Sequence, residues 1–171
     1  MLLHWIWLAH RPGLTDRTKV QLLQHFSDPE DIFFAAKDAF DHIEGITEEA
    51  KASLRDKNLT GAEEILDACR REQLHVLTYR DAAYPVRLKN IADPPVVLYY
   101  KGTLPDFDGN PVIGVVGTRK ASAYGMQTAK RMGYQIASCG GILVSGLAFG
   151  IDGMAMRGAL TAGGTVVGIL G

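Results

Sequence analysis

The chain has 171 residues, 47% of them hydrophobic, and a formal net charge of −1. This composition suits one or two domains with a hydrophobic core and excludes a disordered chain. The apolar opening MLLHWIWLAH is too short to span a bilayer and lacks a signal peptide's basic leader and cleavage site, so it predicts a buried first helix. Cys69 and Cys139 have no partners at metal-ligand spacing, which argues against a disulfide framework or a zinc site and favours a reducing cytoplasm.

The near-neutral total hides an uneven distribution of charge. Residues 1–60 carry 7 Lys and Arg against 10 Asp and Glu, and residues 61–110 carry 6 against 8. Residues 111–171 carry 5 against 1. A basic C-terminal third of this kind indicates contact with a polyanion.

Residues 1–60 are predicted to form a small all-helical domain. Its clearest element is Ile43–Leu54, where Gly45 and Ile46 form a tight turn and Ala50 and Leu54 continue an apolar helix face. This segment resembles a helix-hairpin-helix, which holds DNA phosphate with turn amides. Four residues oppose that role: Thr47, in place of the second glycine, and Glu44, Glu48 and Glu49 beside the turn. Because carboxylates repel phosphate, we favour a packing or protein-contact module over a DNA clamp.

Residues 61–110 are predicted to form a helix-and-strand extension. Thr60 and Glu63 form a capping box that begins a helix ending near Gln73. The apolar side of this helix carries Ile65, Leu66 and Cys69. Two strands should follow, at Leu74–Thr78 and Val96–Tyr100.

Prolines interrupt the segment between these two strands. Pro85, Pro94 and Pro95 each remove an amide and disfavour helix in the residue before, which predicts an extended strap. Its cations could line a groove, but Asp81 and Asp93 interleave with them, so a solvated face is favoured. These cations are Arg80, Arg87 and Lys89.

Residues 111–171 alternate short apolar runs with helical patterns. The predicted strands are Val112–Val116, Ile142–Val144 and Thr165–Leu170. Ser122 should cap the first helix, whose apolar positions are Met126, Ala129, Met132 and Ile136. The second helix should begin at Asp152 and run through Met156 and Leu160. The alternation predicts an α/β fold, a partial Rossmann-like doubly wound parallel sheet.

Loops at the carboxyl ends of such strands meet helix N-termini, whose free amides bind phosphate. Small residues let the backbone approach a phosphate closely, and Ser145 adds a hydroxyl. Arg119 is the leading candidate, because a guanidinium bonds phosphate through two parallel hydrogen bonds and stacks on bases. The full candidate set is Gly117, Thr118, Arg119, Lys120, Ser145, Gly146 and Gly150.

Four motifs in order resemble the DNA-processing protein A (DprA/Smf) family: YPVRLKNIADPPVVLYYKG, VIGVVGTRKASAYG, VSGLAFGIDGMAMRGAL and GGTVVGILG. The N-terminal helices are similar in kind to that family's sterile-alpha-motif-like domain. The resemblance implies a non-enzymatic protein of natural transformation that binds and protects incoming single-stranded DNA and loads the RecA recombinase. It also implies a homodimer of the full-length protein and no cofactor. By motif match, the DNA pocket would include Gly117, Arg119, Ser145 and Gly146.

Two features depart from the family pattern. Met156 stands where the family usually has a histidine, so any role of that histidine is not carried over. The chain stops at Gly171 directly after an apolar strand, although such sheets normally continue, which predicts a fragment.

The alternative is a Rossmann-like nucleotide-binding enzyme that hydrolyses glycosidic bonds. Its general acid or base would have to be Asp152, the single acidic residue of 111–171, and we favour a helix-capping role for that carboxylate. A nicotinamide dehydrogenase is disfavoured because no Gly-x-Gly-x-x-Gly follows either strand. A pure scaffold is the third possibility.

Overall fold

The computed structural model describes residues 1–170, which form two compact units that divide between Leu104 and Pro105. The first unit contains α1 (Leu2–Ala9), α2 (Asp16–His25), α3 (Pro29–Phe34), α4 (Glu48–Arg55), α5 (Thr60–Glu72), β1 (His75–Thr78), α6 (Val86–Lys89) and β2 (Val97–Tyr100). The second contains β3 (Val112–Gly114), α7 (Ala123–Ser138), β4 (Ile142–Ser145), α8 (Ile151–Thr161) and β5 (Val166–Gly168). Segments 1–60 and 61–110 share the first unit as far as Leu104, and their division into separate domains stays a prediction.

Helix α1 is the centre of the first unit, as its apolar sequence predicted. Ile6 and Leu8 are fully buried, and Trp7 is nearly so. The Trp7 indole donates to the backbone oxygen of Asp56 at 3.1 Å, which satisfies its one polar group. Helix α4 packs its predicted apolar face, Ala50 and Leu54, into the same core.

Short polar side chains begin three of the N-terminal helices. Thr15 accepts from the Thr18 amide, Asp28 from the Glu30 amide, and Thr47 from the Ala50 amide. Each bond satisfies an amide that has no partner inside its helix. The residue that replaces the second glycine of a DNA-binding hairpin, Thr47, is therefore a helix cap.

The predicted capping box at Thr60 is wrong. Helix α5 has Leu59 at its N-cap position and no side-chain cap bond, so Thr60 is already inside the helix. The Glu63 amide, which a capping Thr60 hydroxyl would have to accept from, donates instead to the Leu59 backbone oxygen at 2.9 Å. The Thr60 amide donates to Asn58 Oδ1 at 2.8 Å. The predicted end is confirmed, because Gln73 closes the helix in a left-handed conformation.

The two predicted strands of the first unit pair as an antiparallel ribbon, with His75 opposite Tyr100. The extended strap between them is wrong in part, because α6 forms directly after Pro85. Proline disfavours helix in the residue before it and is tolerated at a helix start, where its missing amide is not needed. Arg80 donates to backbone oxygens of Leu23, Phe26 and Ser27 at the end of α2, which is a structural role.

The second unit is an α/β fold built on a three-stranded parallel sheet in the order β3-β4-β5. Ile113 pairs with Leu143, and Leu143 pairs with Val166. Leu143 is fully buried under the two helices and packs with Ala129 and Ala155. The α/β class and the parallel strands predicted from the sequence are confirmed.

Helices α7 and α8 lie against each other on one face of this sheet. A Cβ added at Gly133 would overlap the backbone oxygen of Ala155, and one at Gly158 would overlap that of Lys130. The glycines therefore allow backbone-to-backbone contact. This corrects the predicted apolar face of α7: Gly133 takes the inward position, and Met132 is exposed.

Within residues 1–170, no helix combines the length and the hydropathy needed to cross a bilayer.

Candidate functional site

The carboxyl ends of β3 and β4 bring two loops together, one leading into α7 and the other into α8. The Ile151 amide donates to the Thr118 backbone oxygen at 3.2 Å, which joins the loops directly. Gly150 precedes α8 with φ +84 and ψ −127. A Cβ at this position would overlap the Thr118 oxygen and press on the Arg119 backbone. Glycine is required here for both conformation and space.

The Asp152 carboxylate ties the same two loops to the first turn of α8. Its Oδ1 accepts from the Gly117 amide at 2.9 Å, and its Oδ2 accepts from the Gly146 amide at 3.2 Å. Asp152 is only 4% exposed. The N-cap of α8 is Gly150, so the predicted helix-capping role of Asp152 is wrong. The carboxylate lies near its own amide in the first turn of α8, but its two hydrogen bonds go to loop amides that would otherwise be unpaired.

The surroundings of Asp152 favour its charged form. The Ser145 hydroxyl and the amides of Gly117 and Gly146 hold the pKa of Asp152 below its usual value, against the opposing effect of burial. Ser145 is itself only 3% exposed, and its Oγ lies beside the carboxylate without completing a well-formed hydrogen bond within residues 1–170. The two amide bonds are therefore the defined contacts of the carboxylate.

The candidate residues of the first loop point to a charged, open surface. Thr118, Arg119 and Lys120 are all exposed. The Thr118 hydroxyl accepts from the Lys120 amide at 3.2 Å and shapes the turn. Neither Arg119 nor Lys120 forms an ion pair with any other residue in 1–170. These two cations are free to meet an external anion.

The structure thus separates the candidate residues into three groups. Thr118, Arg119 and Lys120 lie at the surface. The amides of Gly117 and Gly146 and the side chain of Ser145 are engaged by, or buried beside, Asp152. Gly150 packs against the backbone of the first loop.

Phe149, in the second loop, was not among the candidate residues. It is 89% exposed, although a large aromatic side chain normally gains by burial. Its neighbour in sequence, Gly150, packs on the Arg119 backbone, so the loop that carries this ring lies against the loop that carries the two free cations. The sequence did offer an indication of this residue. Phe149 lies between Ala148 and Gly150 in a predicted loop, where it fits neither the apolar pattern of a helix nor that of a strand.

Among the described residues, no group of three or more His, Cys, Asp or Glu side chains could hold a metal ion. Cys69 and Cys139 are both free thiols.

The profile of a family described as DNA recombination-mediator protein A matches residues 75–171. DNA processing protein DprA of Bacillus subtilis is 38% identical over 106 residues, which are 62% of this chain and 36% of that protein. Protein Smf of Synechocystis sp. is 28% identical over 172 residues, covering 98% of this chain and 43% of that protein. The X-ray structure of DNA processing protein A from Streptococcus pneumoniae matches 99% of this chain and 58% of its own with a TM-score of 0.73 and 26% identity. The chain thus spans less than half of these two curated relatives.

Proposed function

Because the chain belongs to the DNA recombination-mediator protein A family, we propose that it binds single-stranded DNA in natural transformation. In this role it protects incoming DNA and loads the RecA recombinase onto it. The observation that carries the proposal is that two unpaired cations, Arg119 and Lys120, and an exposed ring, Phe149, are carried by two loops that pack against each other. We call these three residues the loop surface.

Each part of the loop surface suits a different part of a DNA strand. A guanidinium and an ammonium attract phosphates, and an open ring offers a face on which an unpaired base can stack. A base can reach such a ring only when it is not already stacked in a duplex. The loop surface therefore favours single strands over duplex DNA.

The net charge supports this assignment. Residues 111–171 carry five cations and one acidic residue, and that residue, Asp152, is buried. None of the five cations is paired within residues 1–170. The field over this part of the chain is thus positive, which raises the local concentration of a polyanion.

Fluorescence anisotropy with labelled single-stranded and duplex DNA tests the proposal. Arg119→Ala should weaken single-strand binding about tenfold, as expected for the loss of a charged hydrogen bond, and should reduce the log–log salt slope by about 0.7. The matched control is Arg131→Ala, which removes an exposed cation from α7 about 12 Å along the helix from its start. Equal losses from the two variants, or no loss from Arg119→Ala, would contradict the assignment.

A non-enzymatic role is part of the proposal. Hydrolysis of a glycosidic bond needs a carboxylate or another acid–base group that is free to face the substrate. Asp152 is buried with both oxygens bonded to backbone amides, so it is engaged in holding loops. Incubation with nucleosides and nucleotides followed by chromatography of the products should show no release of free base, and release that depends on Asp152 would favour the enzyme.

RecA loading and dimerisation are the parts of the proposal that rest on the family alone. Addition of this chain should shorten the lag of RecA filament formation on single-stranded DNA, measured by the DNA-dependent ATPase of RecA. Arg119→Ala should shorten that lag less, because the chain must hold the strand on which RecA nucleates. We propose that the full-length protein is a dimer, and sedimentation of the full-length protein tests this. We also propose that it acts in the cytoplasm.

A further inference from the structure

We infer that the Asp152 carboxylate is a built-in anion that fills the cradle formed by the Gly117 and Gly146 amides. It excludes phosphate from these amides and leaves phosphate recognition to exposed side chains. It also positions the two loops that carry the loop surface. This second role rests on the proposed function, whereas the first concerns the amides alone.

The geometry carries the first role. In Rossmann-like sheets, amides of the strand-end loops commonly hold the phosphate of a nucleotide. Here each of the two amides has one proton, and each proton is already directed at one oxygen of the same carboxylate, at 2.9 and 3.2 Å. A phosphate at that place would have to displace a buried carboxylate or lie against it with like charge, and both cost free energy.

The positioning role follows from the span of these bonds. Gly117 is 35 residues before Asp152, and Gly146 is 6 residues before it. The carboxylate is therefore the point at which the ends of β3 and β4 are tied to α8. Without it, the loop that carries Arg119 would lose this side-chain link to the loop that carries Phe149.

An anion-rescue experiment on the full chain tests the inference. Asp152→Ala leaves a methyl group in place of the side chain and so removes the carboxylate. Formate supplies the same carboxylate group as a free ion. We expect the variant to melt about 6 °C or more below the wild type, since two charge-assisted hydrogen bonds are lost. Formate should raise the melting midpoint of the variant by several degrees in a dose-dependent manner, and chloride at equal ionic strength should not.

The matched control is Asp106→Ala. Asp106 also accepts from backbone amides, those of Asp108 and Gly109, but its loop is exposed, so water can replace its carboxylate. Formate should therefore not stabilise this control or the wild type. An equal response of all three proteins, or no response of Asp152→Ala, would overturn the inference.

A second measurement on the wild type covers the case in which Asp152→Ala does not fold. In proton–nitrogen NMR spectra, the Gly117 and Gly146 amide signals should shift together as Asp152 titrates, with a midpoint below that of an ordinary aspartate. Inorganic phosphate should leave both signals of the Arg119→Ala variant, which lacks the leading phosphate contact of the loop surface, unmoved, and a saturable shift of either signal there would overturn the inference. Neither measurement includes DNA. Failure of DNA binding would therefore contradict the proposed function and the positioning of the loop surface for DNA, but it would not affect the first role, in which Asp152 fills the cradle of the two amides.

Discussion

Gly150→Ala is the substitution that probes the joined loops most severely. The new methyl group would overlap the Thr118 oxygen, and the residue would have to hold φ +84. Backbone strain costs about 1–3 kcal/mol and forced overpacking about 1–3 kcal/mol, so we expect a loss of about 4 kcal/mol in the free energy of unfolding. The matched control, Gly163→Ala, has φ +74 but open space around its Cβ, and should cost about 1–2 kcal/mol.

Hydrogen exchange followed by mass spectrometry measures this difference where it arises. For amides of β4 that exchange through opening of the second unit, a loss of 4 kcal/mol accelerates exchange by about three orders of magnitude. The control should accelerate it by about tenfold. Equal acceleration by the two substitutions would contradict this prediction, because it would mean that the contact between Gly150 and the first loop contributes nothing beyond its backbone conformation.

Other predictions follow from single contacts. Thr47→Ala should lower the stability by about 1 kcal/mol in urea denaturation because it removes the cap of α4, whereas Thr60→Ala, which removes no cap, should change it by only a few tenths. Phe149→Ala should weaken single-strand binding by about 5- to 100-fold in anisotropy, while Phe149→Trp should retain it; equal weakening by both would argue against stacking. Because the folded pKa of Asp152 is lowered, its contribution to stability is present above the unfolded pKa and is lost as pH falls through the folded value. Denaturation of Asp152→Asn between pH 5 and pH 2 should therefore show a flatter pH dependence than the wild type.

The strands of the second unit could be predicted because their signals are local. Ile142–Val144 is a short apolar run that follows a glycine pair and is too short for a helix, and the observed strand extends it by one residue to Ser145. Ser122 capped α7 as predicted for the same reason, since its bond to the Gly125 amide spans only three residues. A pattern confined to a few consecutive residues can be recognised without knowing the rest of the fold.

The contacts of Asp152 could not be predicted, because they depend on the distance in space between two loops and not on the spacing of residues along the sequence. A helix-capping role is the usual interpretation of an aspartate at a helix start, but the amides that bond this carboxylate belong to the loops after β3 and β4. Phe149 was missed because exposure of an aromatic ring is a property of the folded surface. Thr60 failed as a cap because the helix begins one residue earlier, at the N-cap Leu59, whose backbone oxygen accepts from the Glu63 amide. The DNA-binding roles of the candidate residues stay predictions.

Single-stranded DNA is proposed to bind at the loop surface. Hydrogen exchange of the full chain with and without a single-stranded oligonucleotide tests this location, because it reports where the strand lies. We predict slower exchange in the peptides that contain Arg119, Lys120 and Phe149, and weaker protection there with duplex DNA of equal length. Saturating DNA that leaves these peptides unchanged, or that protects only peptides of the first unit, would contradict the account.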